Sequence, residues 1–236
     1  MQNASTEKVN TTTCILERYE TETASIETTD SLIDCYRSVF AAEPWGEWMK
    51  CPKCGFYWGL EDKETLAKDG FSHCGEKLVE FWPRDQVKAD IQNEISQDAS
   101  CWIAKDNGNV IGFSWAYPIS LAKLENKLEI SINAENLRNS SQTVAYLDEV
   151  GVSPEYRKQN LATTLKSLVL QDMFQKGARA VIGRVRKEPT PSVTYLWWTQ
   201  KLGYNVVGSY PYQDGRVVLA RTMSLAPRTE RGPMYG

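Results

Sequence analysis

The residues of this chain that could do chemistry fall into separate stretches. Asp148 and Glu149 are neighbouring carboxylates that interrupt the apolar run VAYLDEVGV, Val144 to Val152. Adjacent residues of a strand point to opposite faces, so only one of the two can serve a given site, unless a bulge at Gly151 re-aims the pleat. A few residues on, Arg157-Lys158-Gln159-Asn160-Leu161-Ala162 leads into a helical pattern. An opening helical turn presents unpaired N–H groups and the positive end of the macrodipole, and Arg157 adds a charge-assisted donor just before it. That is an anion site, best suited to a phosphate. Cys51-Pro52-Lys53-Cys54-Gly55 has the form of a zinc knuckle, two thiolates on one tetrahedral ion with a glycine for the tight turn. A knuckle supplies two ligands, and His73-Cys74 is the nearby pair that completes a Cys3His set. Phe71 stands where a second knuckle would carry a ligand, which leaves a solvent molecule, Glu76, Cys35 or Cys101 as substitutes. The competing reading is a loop of reduced cysteines packed among Trp45, Trp48 and Trp58, since free cysteine behaves as a small buried hydrophobe. Zinc is the better expectation, because a stretch with so little aliphatic content gains order from a metal; its role is structural.

These residues must be positioned by a strand, a turn and a helix. Val144, Tyr146, Val150 and Val152 are expected on one face of a strand, and Ala145, Leu147 and Gly151 on the other. Ser153-Pro154 ends it, because proline cannot donate into a ladder. Leu161, Leu165, Leu168 and Val169 then recur at helical spacing up to Gly177, so the helix opens between Lys158 and Ala162.

Upstream, Cys14–Tyr19 reads as a strand, and Leu32, Tyr36, Val39 and Phe40 mark an amphipathic helix. The Trp-, Gly- and Cys-rich insertion spans about 45–82. Val87, Ile91 and Ile95 place a helix after it, and Cys101–Lys105 and Val110–Tyr117 bracket a hairpin turn at Asp106-Asn107-Gly108-Asn109. The connection from Ile119 to Thr143 is longer than adjacent strands need, with Leu121, Leu124 and Leu128 weakly helical. It reads equally as a tolerated surface insertion or as a flap over a substrate. Beyond the central helix come a strand at Ala178–Arg186, a short helix at Val193–Leu202 ended by Gly203, and strands at Tyr204–Tyr210 and Arg216–Met223 across an Asp214-Gly215 turn.

A length of 236 residues suits one large domain carrying an insertion. The expected division is a disordered lead at 1–13, a domain at 14–223 and a flexible tail at 224–236. A net charge of −3 gives no broad electropositive footprint, so nucleic acid is not an expected partner. No stretch approaches the length of a membrane span, and MQNASTEKVNTTT has no apolar core of a secretory signal, so a cytoplasmic protein is expected. The sequons at Asn3, Asn10 and Asn139 then carry no meaning, and the six cysteines are thiols or ligands. A single histidine and no HExxH motif disfavour hydrolase triads and metalloprotease sites.

The run V-x-V-x-P-x-x-R-x-x-N-L-A, Val150 to Ala162, resembles the acyl-CoA signature of the GNAT superfamily of N-acetyltransferases, with Asn160 where glycine is usual. Asparagine tolerates left-handed backbone angles, so it suits the loop. Gln200-Lys201-Leu202-Gly203-Tyr204 is similar to the family's late helix end, with Thr199 at a position commonly held by tyrosine. The resemblance implies an α/β (α+β) fold with a mixed, mainly antiparallel central sheet flanked by helices, interrupted here by the small zinc-binding insertion.

It also implies direct transfer of an acetyl or longer acyl group from coenzyme A to a primary amine of a small molecule, peptide or protein, in a monomer or homodimer. A lysine-like amine has a pKa near ~10.4 and must lose a proton before attack. Glu149 and Asp148 are the expected bases, and Tyr195, one helical turn before Thr199, is the replacement for the family's thiolate-protonating tyrosine. Main-chain groups of Val150, Gly151 and Val152 are expected on the pantetheine arm and thioester, and Arg157, Lys158, Gln159, Asn160, Leu161 and Ala162 on the pyrophosphate. A structural role for Glu149, satisfied by Arg184 or Arg186, stands beside catalysis. A degenerate domain that binds acyl-CoA without turnover, or a zinc-dependent interaction module, is the alternative function.

Overall fold

The computed structural model describes residues 14–96, 98–134, 143–188, 191–210 and 215–223. The sequons at Asn3, Asn10 and Asn139, the lead 1–13, the tail 224–236 and Asp214 of the expected turn lie outside them. Strand β1 (Ile15–Arg18) leads to helix α1 (Ile26–Ala41), capped by Ser25, whose hydroxyl accepts from the Thr28 amide at 3.2 Å. The insertion follows as short strands β2 (Met49–Lys50) and β3 (Tyr57–Trp58), helix α2 (Lys63–Lys68), and strands β4 (Ser72–His73), β5 (Glu76–Lys77) and β6 (Val79–Glu80). Then come α3 (Arg84–Glu94), the hairpin β7 (Ser100–Asp106) and β8 (Asn109–Ile119), α4 (Leu121–Leu128) and β9 (Val144–Val152). The chain closes with α5 (Leu161–Gln175), β10 (Ala180–Arg186), α6 (Val193–Leu196) continuing as a π-helical turn Trp197–Lys201, β11 (Asn205–Ser209) and β12 (Arg216–Thr222).

The main sheet is seven-stranded, in the order β1-β7-β8-β9-β10-β12-β11. Only β9 and β10 run parallel, and they pair just at Ala145, Tyr146 and Leu147 with Val181, Ile182 and Gly183. Beyond Leu147 and Gly183 the two strands part, and their main-chain groups are freed on the facing edges. A ring plugs the point of parting: a Cβ on Gly183 would stand 2.7 Å from the Trp198 indole, so a larger residue there would push the plug away. On one face α1 and α3 bury Leu32, Ile33, Val87 and Ile91 against Ile103, Phe113 and Trp115. On the opposite face α5 buries Leu165 and Val169 against the sheet. The mixed α/β architecture, with a mainly antiparallel sheet between helices and a small insertion, is the one the sequence implies.

Register corrects one expectation. Trp115 pairs with Glu149 but Ala116 pairs with Leu147, so the bulge is at Asp148 and not at Gly151. The extra residue inverts the pleat that follows. Val144 and Tyr146 pack beneath α4, whereas Val150 and Val152 pack on the α5 face, opposite to the single-face assignment drawn from alternation. Gly151 then faces α1, where a Cβ would stand 2.5 Å from the Phe113 ring. The connection after Ile119 is no loose surface insertion either: Leu124, Leu128 and Ile132 are buried with Val144, Tyr146 and Val218. Its segment 135–142 lies outside the described residues.

Candidate active site

A cleft of about 490 Å³ opens where β9 leaves β10. Val150, Gly151 and Val152 line it from the strand, and Tyr156, Arg157, Lys158, Asn160, Leu161, Ala162 and Thr163 from the turn and the first turn of α5. Trp197, Val193 and Thr194 close one side, and Val39, Pro44 and Trp45 the other. Of the residues expected to hold a nucleotide cofactor, Gln159 alone is not among those lining the cleft. Lys158 and Asn160 take left-handed angles, φ 65 and 63, so the loop alternates hand, the backbone pattern of an anion-binding nest. Asparagine therefore does here what glycine does by default. Arg157 braces the loop: Nε donates to the Val152 carbonyl at 3.1 Å and Nη1 to the Glu43 carbonyl at 2.7 Å. Among the described residues its Nη2 has no partner, which leaves one charge-assisted donor for an anion.

The bulge at Asp148 turns both carboxylates toward the α1–α3–α4 face, where the sequence placed them on opposite faces. Asp148 accepts from the Tyr117 hydroxyl at 2.8 Å and pairs with Lys127 of α4 at 3.1 Å. Lys127 also donates to Tyr117, reaches Glu94 at 3.4 Å, and lies over the Tyr117 and Tyr146 rings. Glu94 accepts from the Trp115 indole N–H at 3.2 Å. Burial, with Asp148 adding, pushes Glu94 up to about 7. Glu149 is lifted well above the usual carboxylate range by burial first, then by the charges of Asp148 and Glu94, with Arg184 offsetting part. Among the described residues its carboxylate makes no ion pair. Lys127 is held above its ordinary value, because the pull of Asp148 and Glu94 outweighs burial.

Tyr195 is half-buried against the cluster that includes Leu147, Val181 and Val185, and its carbonyl accepts the Thr199 hydroxyl at 2.8 Å. In the insertion, Cys51, Cys54, His73 and Cys74 place one ligand atom each within 4.8 Å of one another. His73 Nδ1 lies 3.5 Å from Cys54 Sγ and 3.2 Å from Cys74 Sγ, close to the edge, about 3.5 Å, of a tetrahedron with zinc-length bonds. Left-handed angles at Cys74 and Gly75 fold the adjacent His-Cys pair onto one centre. The residues present therefore fit a zinc ion. Cys35 and Cys101 are buried in the α1–α3 core, and the fourth position is filled without them. Sequence reasoning missed Glu94, Lys127, Tyr117 and Trp197, which come from separate elements whose spacing carries no signal.

The sequence profile of the Acetyltransferase (GNAT) family matches residues 63–204. The chain belongs to this family. Its fold is similar to that of PaiA N-acetyltransferase from Thermoplasma acidophilum, solved with coenzyme A, at 16% identity and a TM-score of 0.51 over 89% of this chain and 99% of that one. It is similar to aminoglycoside 6'-acetyltransferase type Ii at 15% identity and a TM-score of 0.53, covering 90% and 99%. NAA60 from Arabidopsis thaliana, solved with acetyl-CoA, gives 14% identity and a TM-score of 0.51, covering 89% and 99%. At these identities the likeness establishes the fold. No protein of curated function matches the sequence. Membership of the GNAT family supports acetyl transfer from coenzyme A, and no helix among the described residues is long and apolar enough to cross a membrane.

Proposed function

We propose that this GNAT protein transfers an acetyl group from acetyl-CoA to a primary amine by direct attack, with Glu149 as the base. The observation that carries the reading is the cleft where the freed edge of Val150–Val152 meets the loop Arg157–Ala162, directly after the raised carboxylate of Glu149 in the same strand. The first-turn amides of α5 and Arg157 Nη2 suit the pyrophosphate. Main-chain groups of Val150, Gly151 and Val152 suit the pantetheine arm and the thioester carbonyl, a fixed set of dipoles that needs no reorganisation.

Acetyl-CoA supplies the activated acyl carbon. The acceptor arrives as an ammonium, and Glu149 takes its proton; the burial that raises this carboxyl makes its ionised form a stronger base than an ordinary carboxylate. The nitrogen then bonds the acyl carbon as the carbon–sulfur bond breaks, its second proton leaves to solvent, and the departing thiolate takes a proton from Tyr195, which solvent restores. Asp148 is the poorer base, since Lys127 and Tyr117 already engage its carboxylate. Zinc on Cys51, Cys54, His73 and Cys74 serves as a structural cross-link of the insertion.

Calorimetric titration with acetyl-CoA, followed by thiol release with primary amines, tests the reading. Stoichiometric binding is expected, and Arg157→Ala should weaken it by about 1.5–3 kcal/mol, the scale of a charge-assisted hydrogen bond. Absence of binding to the parent would sink the assignment, and binding without turnover on any amine would leave a non-catalytic acyl-CoA binder.

A further inference from the structure

A second cleft, of about 460 Å³, adjoins the first and shares Pro44 and Trp45 with it as a partition. Its walls come from both parts of the molecule. The main domain contributes Glu43, Trp45 and, from the end of β10, Arg186; the insertion contributes Tyr57, Glu61 and Asp62. Arg186 alternates with Val185, which faces the α5 side, so this cleft lies on the sheet face that carries Glu149. A donor held in the first cleft leaves that face as the way in for the other substrate. Glu47, two residues after the partition, is buried at 4% exposure between the Trp82 indole N–H and Arg216.

The free charge of the second cleft is negative. Arg186 is its one cation, and its recorded partners are neutral: Nη1 donates to the Pro44 carbonyl at 3.4 Å, Nη2 to the Tyr57 hydroxyl at 3.1 Å, and the guanidinium lies over the Trp45 ring at 5.6 Å, so one positive charge stands against the carboxylates of Glu43, Glu61 and Asp62. Asp62 accepts from the Gly59 amide at 3.2 Å. Glu43 and Glu61 remain exposed beside two aromatic rings, a lining that favours an organic cation.

The metal ligands set this wall. Cys51 and Cys54 form the turn between β2 and β3, closed by the Cys51 amide on the Phe56 carbonyl at 2.8 Å. Tyr57 is the first residue of β3, and the Trp58 ring packs 5.0 Å from the His73 ring. Whatever fixes the cysteines and His73 therefore fixes the register of β3, the Tyr57 hydroxyl on Arg186, and the turn that presents Glu61.

We propose that the second cleft receives the acceptor, that the acceptor is an amine carrying a further positive charge, and that the metal-binding insertion is its outer wall. The inference rests on the acyl-transfer reading of the first cleft. A pair of probes of equal length separates the charge: cadaverine, cationic at both ends, and δ-aminovalerate, with one end anionic, each titrated into the CoA-saturated protein. Cadaverine should bind and δ-aminovalerate should not. Glu43→Gln with Glu61→Gln, both exposed, should weaken cadaverine about fivefold at unchanged melting temperature. Stripping the metal with a chelator should abolish cadaverine binding and leave acetyl-CoA affinity as it was.

Equal binding of the two probes, no binding of cadaverine, or indifference to both treatments overturns the proposal. Loss of acetyl-CoA binding together with cadaverine on stripping also overturns it, since the insertion would then support the whole molecule. Failure of the parent to bind acetyl-CoA at all strikes the acyl-transfer reading instead.

Discussion

At the scale of single residues, the site turns on titratable groups held off their ordinary values. Glu149 must be unprotonated to act, and burial lifts its pKa, so turnover should be lost as pH falls through that raised value. Glu149→Gln keeps size and hydrogen bonds but removes basicity, and turnover should fall by about 10²–10⁴ with acetyl-CoA affinity unchanged. If the ascending limb of the pH–rate profile survives in that variant, another group supplies it. Lys166 carries an opposite shift. It is buried at 4% exposure, its Nζ has no hydrogen-bond partner, and it lies 4.3, 4.7 and 5.1 Å from the rings of Trp197, Trp198 and Tyr204. Burial, with Arg221 adding, pulls it from 10.5 to about 7. The unfolded chain then binds the proton more readily, so stability falls as pH drops from 10.5 toward 7 and is lowest below that. Lys166→Met should therefore stabilise by about 2–4 kcal/mol near neutrality and by little near pH ~10, as read by denaturant unfolding at both pH values. Equal gains at the two would assign the effect to packing alone.

At the scale of elements, the sequence was most legible where period and punctuation agree. Ser153-Pro154, the helical spacing of Leu161 to Val169 and Gly177 set the ends of β9 and α5 to within a residue or two, because proline and glycine act locally. The bulge was not legible, since an extra residue shows only against the partner strand β8, and it reversed the facing of every residue after Asp148. The metal ligands were legible as types and spacing, but the closing His-Cys pair needed left-handed angles at Cys74 and Gly75. The role of α4 was hidden for a like reason. Its leucines dock on Val144 and Tyr146, and that docking delivers Lys127 to Asp148 and Glu94. Removing the cation should raise Glu94 further, because Lys127 lowers it. Lys127→Met, with α4 still docked through Leu124 and Leu128, should thus move the Glu94 titration, read by carboxyl NMR, to higher pH and shift the ascending limb of the pH–rate profile through the Glu94 charge that Glu149 feels. A limb that stays in place would separate this cluster from the proton transfer.

At the scale of the whole molecule, two bodies of unequal size share one working face. The insertion has a core of its own, but a small one: Cys51, Leu66 and Leu78 are buried, with Trp48, Met49, Trp58 and Phe71 around them. So little apolar surface does not offset the chain entropy of ordering some forty residues, which is why small units of this kind depend on a metal. The main domain has extensive cores on both sheet faces and needs none. The bodies meet through polar ties that presuppose a folded insertion: Arg37 to Glu80 and the Trp82 carbonyl, Arg216 to Glu47, and Arg186 to Tyr57. Metal analysis of protein purified without chelator should find one zinc per chain, and Cys51→Ser with Cys54→Ser should release it. Hydrogen exchange should then quicken across Trp48–Glu80 and stay slow in β7, β8 and β9, where the ladders lie in the other core. No stoichiometric zinc in the parent would return these cysteines to free thiols, and quickened exchange throughout the sheet would mean that the two bodies fold as one.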